Sequence, residues 1–248
     1  MSESIARAIE DNDSMKWVLM PVAREEERGR FPLRRFGQWL AARGNRVALV
    51  YPPASPWDGI TRARRRRFER SLARKYPLGV WQSENLFAFV PRTWFPVRPH
   101  WPFDGYAAWN ACEASSRPQA GELLREAGFD RADCLLLQSF EFPSLVRFPQ
   151  PAAFAVVLDQ SRRALRERTG DGAARKEKHV LMDADLVLCT RTAFAERAGA
   201  AGAERVEMLA SALGNDAELF AETRARVTQL WKDSRDASPT GSPTRSRR

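Results

Sequence analysis

Residues 30–53, RFPLRRFGQWLAARGNRVALVYPP, decide the fold class. Phe36 and Leu40 recur at the spacing of a helix with one buried face, and Gly44 is placed to end that helix. The run RVALVYPP that follows is typical of a buried strand, and its two prolines end it. An apolar run of strand length, KWVLMPVA at 16–23, precedes this stretch. The region therefore predicts a β-α-β unit.

Apolar runs of strand length and helical segments continue to alternate along the rest of the chain. The strand-like runs lie at 85–91, 133–139, 153–160, 185–190 and 205–210. The helical segments lie near 62–75, 105–127, 161–182, 191–200 and 216–232. Near-continuous apolar strands that alternate with helices are typical of a parallel sheet buried on both faces. The sequence predicts an α/β fold, a doubly wound, mostly parallel Rossmann-like sheet with helices on both faces.

Length and composition predict one globular domain without a membrane span. The chain has 248 residues, and none of its apolar runs approaches the roughly 18 residues that a spanning helix needs. We expect a polar N-terminal leader at 1–15, the domain at 16–233 and a disordered basic tail at 234–248. The acidic, polar N-terminus is unlike a secretory signal, so the expected location is cytoplasmic. Arginine strongly outnumbers lysine, which points weakly to a bacterial source.

The cysteines and histidines give no support to a metal site. The 3 cysteines lack CxxC spacing, and neither of the 2 histidines lies near a cysteine or near the other histidine in sequence. We expect reduced, structural cysteines and no bound metal.

The excess positive charge is concentrated in one segment. Residues 31–103 carry 14 basic and 3 acidic side chains. Basic residues beside aromatic ones suit an anionic membrane surface, and they also suit single-stranded nucleic acid, which we regard as the weaker alternative. A solvated helix face and a loop folded onto the sheet would explain the pattern equally well. The candidate membrane or anion surface consists of Arg64, Arg65, Arg66, Arg67, Arg70, Trp94 and Trp101.

Polar side chains that follow the predicted strands are the candidates for ligand binding. A doubly wound sheet binds ligands at the carboxyl ends of its strands, near the point where the strand order reverses. Asp159 and Thr190 could instead cap the helices that follow them. The chain contains no GxGxxG after its first strand and no GxxxxGK[ST], so it predicts neither a common dinucleotide site nor a P-loop. The strand-end candidates are Arg24, Arg28, Gln138, Ser139, Asp159, Gln160, Thr190, Arg191 and Thr192.

Three stretches resemble motifs of GT-B glycosyltransferases, which use nucleotide-sugar donors. The first, R-P-x-x-L-A-x-x-L-A-x-x-G-H-x-V, is matched by Arg30, Pro32, Phe36, Leu40, Gly44 and Val47, with Asn45 in place of the usual His. The second, E-x-x-L-x-x-A-D-x-V-x-x-x-S, is similar to the segment containing Glu177, Met182, Ala184, Asp185, Val187 and Thr190. The third, P-N-G-V-D-x-x-x-F, resembles LASALGNDAELF at 209–220, with Asn215, Asp216 and Phe220 in a shifted frame.

This resemblance implies the N-terminal, acceptor-binding half of a GT-B enzyme. In that family a second Rossmann-like domain holds the nucleotide-sugar, so we expect no cofactor in this half. The chain is expected to be either one half of a split enzyme whose donor-binding half is a partner chain, or a truncated derivative. The implied acceptor is a sugar or a lipid-linked molecule, which favours a peripheral position at the inner face of the plasma membrane. Inverting members often use an Asp or His of this half as the base, which makes Asp159 and His100 the catalytic candidates. The acceptor-binding candidates are Arg28, Arg30, Gln138, Ser139, Thr190 and Arg191.

The alternative is a protein of another class. A non-catalytic Rossmann-like binding protein could use its basic and aromatic surface to hold an anionic membrane or nucleic acid.

Overall fold

The computed structural model describes residues 14–21, 31–56, 67–94, 111–112, 114–138, 151–159, 177–210 and 215–236. Eight strands form one sheet. They are β1 (Lys16–Met20), β2 (Arg46–Val50), β3 (Val80–Ser83), β4 (Leu86–Phe89), β5 (Cys134–Leu137), β6 (Ala153–Leu158), β7 (Leu186–Cys189) and β8 (Val206–Met208). The helices are α1 (Leu33–Ala41), α2 (Arg67–Lys75), α3 (Ala120–Glu126), α4 (Thr192–Ala201) and α5 (Asp216–Asp236), and residues 177–183 are also helical.

The strand order across the sheet is β3-β4-β2-β1-β5-β6-β7-β8. All neighbouring strands are parallel except β3 and β4, which form an antiparallel pair at one edge. The chain runs outward from β1 through β2 to β4, and it then returns to the other side of β1 as β5. The strand order therefore reverses between β1 and β5. The predicted doubly wound, mostly parallel sheet is confirmed.

Alternate residues of each strand face opposite layers of helices. In β1, Trp17 and Leu19 join the core that includes residues of α1, α2 and α5, whereas Val18 and Met20 join the core that includes α3, α4 and 177–183. This alternation follows from the period of two in a strand. Trp17, Val18, Leu19 and Met20 are all fully buried, so both faces of β1 are covered over this apolar run.

The first helix packs closely on the sheet because its inner face contains a glycine. A Cβ at Gly37 would lie 3.0 Å from Leu19 Cδ1 and 3.1 Å from Leu49 Cδ2. The helix is followed by Gly44, whose φ of +79° confirms its predicted role as the residue that ends the helix. Asn45 is buried next to it and joins two elements, since its Oδ1 accepts from Met15 N (3.3 Å) and its Nδ2 donates to Leu40 O (3.2 Å).

Three boundaries differ from the sequence prediction. The edge strand β3 was not predicted, because its exposed residues lack an apolar pattern. The helix predicted at 105–127 is interrupted within its described part, where residues 115–119 leave the helix near Pro118. Residues 234–236, predicted to belong to the tail, are instead the last residues of α5, and the rest of the predicted tail lies outside the described residues. In this last turn Ser234 Oγ donates to Ala152 O at 2.9 Å, and Arg235 stacks on Trp231.

In the described part of the chain, no helix is both long and apolar enough to cross a membrane.

Candidate functional site

The carboxyl ends of the central strands bring Gln138 and Asp159 together. Gln138 follows β5, directly beside the point where the strand order reverses, and Asp159 follows the neighbouring strand β6. Gln138 N donates to Met20 O at 3.0 Å, which extends the pairing of β5 with β1 by one residue. Phe31, which lies just before α1, approaches both side chains from above the end of β1.

The two side chains form a buried hydrogen-bonded pair. Gln138 and Asp159 expose only 3% and 7% of their surface. Gln138 Nε2 donates to Asp159 Oδ2 at 2.8 Å and to Phe31 O at 2.8 Å. Asp159 Oδ2 also accepts from Phe31 N at 3.4 Å. Because Nε2 faces two oxygens, rotating the amide by half a turn would place oxygen against oxygen, so the hydrogen-bond network fixes its orientation.

The other end of the Gln138 amide has no partner in the described part of the chain. Among the described residues, Gln138 Oε1 is buried and has no hydrogen-bond partner. Leaving a buried acceptor unpaired costs about 1–3 kcal/mol, and most such atoms in proteins have a partner. An acceptor held in place by the two bonds on its own amide nitrogen is suited to receive a hydroxyl group from a ligand. The pair thus presents a neutral acceptor next to a carboxylate.

Thr190 and Arg191 follow β7, one strand beyond Asp159. Cys189 pairs with Leu158, so Thr190 lies level with Asp159. Thr190 is buried, and its Oγ1 contacts Leu158 O at 3.5 Å. It does not cap α4, because the residue at the cap position is Arg191 and no side chain bonds the free amides there. Arg191 is exposed, with its guanidinium carbon 5.9 Å from the centre of the Phe194 ring.

Many of the predicted site residues lie outside the described residues. They are Arg24, Arg28, Arg30, Arg64, Arg65, Arg66, His100, Trp101, Ser139 and Gln160. Of the predicted basic surface, Arg67 and Arg70 lie on α2, but only their backbone is described. Trp94 is described and is 78% exposed. The structure thus brings together Gln138, Asp159 and Thr190, and the roles predicted for all these residues remain predictions.

Several residues of the family-like motifs have structural roles. Asn215 caps α5, since its Oδ1 accepts from Glu218 N (2.9 Å) and its Nδ2 donates to Glu218 Oε1 (3.0 Å). Asp216 forms an ion pair with Arg35 at 2.8 Å, which ties α5 to α1. Phe220 packs against the aromatic side chains of α1 and its start, and its ring centre lies 5.4 Å from that of Phe36.

Glu177, from the second motif, forms a buried ion pair. Its Oε1 lies 3.0 Å from Nε of Arg197 in α4, and both side chains are almost fully buried. The guanidinium carbon of Arg197 also lies 5.3 Å from the Phe194 ring centre. This pair joins the helical segment 177–183 to α4 beneath the sheet.

The cysteines are reduced and buried, as predicted. Burial raises the pKa of Cys189 to about 11, against the opposing effect of the nearby Arg197 guanidinium. Among the residues that the structure describes, no group of three or more His, Cys, Asp and Glu side chains could hold a metal ion.

Sequence reasoning missed two parts of the carboxyl edge. The contact of Phe31 with Gln138 and Asp159 depends on the strand order, which no local pattern records. A cavity lined by Arg117 also went unrecognised, because Arg117 is joined to the distant residue Arg92 by a backbone bridge that no local sequence pattern predicts.

No protein-family model matches the sequence, and no curated protein matches it. Among solved structures, the chain is similar to a sucrose-phosphate synthase from Thermosynechococcus elongatus, with 14% identity, a TM-score of 0.50, and coverage of 88% of this chain and 98% of that chain. A second structure of sucrose-phosphate synthase from the same organism has 12% identity and a TM-score of 0.47, over 79% of this chain and 47% of that chain. Sucrose-phosphate synthase is a GT-B glycosyltransferase, so the resemblance predicted from the sequence is confirmed for the fold.

Proposed function

We propose that this chain is the acceptor-binding half of a GT-B type glycosyltransferase, working with a donor-binding half that holds a nucleotide-sugar. The fold is consistent with such a half. The donor-binding half is supplied in this proposal either by a partner chain or by another part of the same protein. Since fold alone does not determine function, the proposal depends on the chemistry at the carboxyl edge of the sheet.

One observation carries the proposal: Gln138 Oε1, which has no hydrogen-bond partner among the described residues, lies beside the Asp159 carboxylate. Sugars present rows of hydroxyl groups, and each hydroxyl can both donate and accept a hydrogen bond. A hydroxyl that donates to Gln138 Oε1 would satisfy the buried acceptor, and a site at the reversal of strand order is where doubly wound sheets bind ligands.

Asp159 is the proposed catalytic base. During transfer the acceptor hydroxyl gives its proton to the carboxylate, and its oxygen forms a bond to the anomeric carbon of the donor sugar. The bond from that carbon to the nucleotide diphosphate breaks, and the diphosphate leaves with the electron pair. The hydrogen bond from Gln138 Nε2 holds the Asp159 carboxylate in one orientation, which favours proton transfer along one direction.

The acceptor in this proposal is a sugar, a sugar phosphate or a lipid-linked sugar. The name of the similar synthase indicates a phosphorylated sugar product for that protein. We place the reaction in the cytoplasm. Thr190 and Arg191 extend the proposed acceptor site toward β7, where Thr190 lies level with Asp159.

The test is a transfer assay on the native assembly. The protein is purified from its source with any bound donor half and incubated with labelled nucleotide-sugars and extracted acceptors. Asp159→Asn should lower the transfer rate by about 10²- to 10⁴-fold, because the base is lost while an acceptor oxygen is kept. The control is Asp183→Asn, the same chemical change at an exposed site on the opposite edge of the sheet, where the rate should stay within about twofold. An Asp159→Asn variant with the full wild-type rate would refute Asp159 as the base, and no transfer by any wild-type assembly would refute the function.

A second candidate is non-catalytic binding to an anionic membrane surface. It is favoured by the exposure of Trp94 (78%) and Leu78 (67%), two large apolar side chains near the basic segment. If it is correct, the protein should sediment with phosphatidylglycerol vesicles, lose this binding in high salt, and bind less after Trp94→Ala. Vesicle binding that changes neither with salt nor with Trp94→Ala would exclude this membrane-binding function.

A further inference from the structure

A cavity of about 620 Å³ opens at the carboxyl ends of the neighbouring strands β2 and β4. It lies between the segments that follow β2 and β4, the end of α2, and the turn before α3. Its size is that of a site for one small molecule. The side chains that give it its chemical character are Arg74, Leu78, Arg92, Trp94, Arg117 and Pro118. Gln138 and Asp159, which follow β5 and β6, are not among the residues that line this cavity.

Backbone hydrogen bonds hold the walls of the cavity together. Ala54 N donates to Pro91 O (2.8 Å), and Thr93 N donates to Ala54 O (3.0 Å), which joins the segments after β2 and β4. Arg92 and Arg117 exchange two backbone bonds of 3.1 and 2.7 Å, which adds the turn before α3. Because three separate segments are fixed to one another, the cavity is formed in advance of any ligand, and this lowers the entropic cost of binding.

The cavity carries a concentrated positive charge. Arg74, Arg92 and Arg117 line it, and none of them forms an ion pair with a carboxylate of the described residues. Arg92 Nη2 donates to Ala73 O, and Arg117 Nη1 donates to two backbone carbonyls of its own turn. Each guanidinium has five N–H donors, so most of these donors remain available for an anion.

Most of the other lining residues are apolar, and Ser55, Thr93 and Ser115 also line the cavity. Leu78 and Trp94 are large side chains that stand mostly in solvent on the wall of the cavity. Large apolar side chains that remain exposed beside a formed cavity indicate a ligand with an apolar part. The indole of Trp94 also offers a flat surface for a ring or a chain.

We infer that this cavity binds a single molecule in which a phosphate monoester is attached to an apolar body. A phosphate monoester carries up to two negative charges and three outer oxygens, which match the three guanidinium groups of the lining better than the single charge of a carboxylate does. The apolar body lies against Leu78 and Trp94. This inference goes beyond the proposed transfer reaction and does not depend on it, because it concerns different residues and a binding step alone.

Titration calorimetry tests the inference on the full chain. The probe is monomeric decyl phosphate, used below the concentration at which it forms micelles. The comparison probes are inorganic phosphate, decanoate and neutral decyl maltoside. We expect decyl phosphate to bind at least about tenfold more tightly than each of them, and its affinity to fall as salt is raised.

Matched variants locate the binding. Arg74→Gln and Arg117→Gln should each weaken decyl phosphate binding about tenfold, since each removes a charged hydrogen-bond donor from the cavity. Arg125→Gln removes the same charge from an exposed position on α3 outside the cavity lining and should change the affinity less than about twofold. Trp94→Ala should weaken decyl phosphate binding and leave the much weaker binding of inorganic phosphate unchanged.

Each other outcome would overturn the inference. Equal affinity for inorganic phosphate would show an anion site without an apolar part, and equal affinity for decanoate would remove the preference for phosphate. Binding to phosphatidylglycerol vesicles without binding of monomeric decyl phosphate would indicate a membrane surface in place of a cavity for one molecule. An equal loss of affinity in Arg125→Gln would indicate an effect of net charge alone. None of these results bears on the transfer assay, so the two proposals fail separately.

Discussion

At the scale of single residues, the buried polar groups of this chain have two different roles. Glu177 and Arg197 form a buried ion pair that joins two helices, so their role is structural. Gln138 Oε1 is one of several buried side-chain atoms without a hydrogen-bond partner in the described part of the chain, and it lies beside Asp159 at the carboxyl ends of the strands. The sequence identified Glu177 and Gln138 as residues of interest for different reasons. It could not distinguish their roles, because the distinction depends on which side chains meet across the fold.

The Glu177 and Arg197 pair predicts a strongly non-additive double-mutant cycle. Glu177→Leu or Arg197→Met alone leaves a buried charge without its partner and should lower the free energy of unfolding by about 3–5 kcal/mol. The double variant removes both charges and should cost less than either single variant. Urea denaturation of the four proteins measures the cycle. Additive losses would show that the two side chains do not compensate each other.

The buried thiol of Cys189 predicts a loss of stability at high pH. Its pKa is raised from 9.0 to about 11 by burial, so the folded protein keeps this proton where the unfolded chain has lost it. Stability from this group is fully present below about pH 9 and is lost as pH rises toward about 11. Cys134 is raised in the same direction, also by burial.

The measurement is the free energy of unfolding by urea between about pH 8 and about pH 11. Replacing Cys189 by Ala should make the decline shallower, whatever it does to the stability at neutral pH. An identical slope in the variant would show that this thiol does not titrate differently in the folded state.

At the scale of elements, local signals predicted the regular parts well. The apolar spacing of α1, its end at Gly44 and the continuous apolar strands are properties of short windows, and the structure confirms them. The edge strand β3 and the interruption at 115–119 were missed. β3 forms by pairing with β4, and residue 117 bridges to Arg92 of another segment, so both depend on partners distant from any local pattern.

Two helical glycines allow the effect of helix propensity on stability to be distinguished from the effect of packing against the sheet. Gly199 in α4 is exposed, and a Cβ there meets nothing within 4 Å, so Gly199→Ala should stabilise the protein by about 1 kcal/mol. Gly37→Ala brings the same gain in helix propensity, but the new Cβ would lie only 3.0 Å from Leu19 Cδ1 and 3.1 Å from Leu49 Cδ2. We expect a net loss of about 1 kcal/mol there. Thermal or urea unfolding measures both, and a gain at Gly37 equal to that at Gly199 would contradict tight packing of α1 on the sheet.

At the scale of the whole molecule, the polar residues at the amino ends of the strands have different roles from those at the carboxyl ends. At the amino edge, Asp133 Oδ2 accepts from Lys16 N (2.8 Å) and Asp185 Oδ2 accepts from Phe154 N (2.9 Å), so these carboxylates complete strand ends. At the carboxyl edge, Gln138 and Asp159 meet beneath Phe31, and a separate cavity opens near Arg92. From the α/β pattern, the sequence predicted binding at the carboxyl ends of the strands, which remains a prediction. It did not predict which side chains would share that edge, because their proximity follows from the strand order.

The central claim is that this chain binds the acceptor and a separate half binds the nucleotide-sugar. The most direct measurement is the native mass and composition of the protein purified gently from its source, followed by a transfer assay on that material. The account predicts an assembly larger than 28.1 kDa, with a nucleotide-sugar-binding half in the same polypeptide or in a bound partner, that transfers a labelled sugar. A protein of 28.1 kDa that carries no such half and transfers no sugar would contradict it.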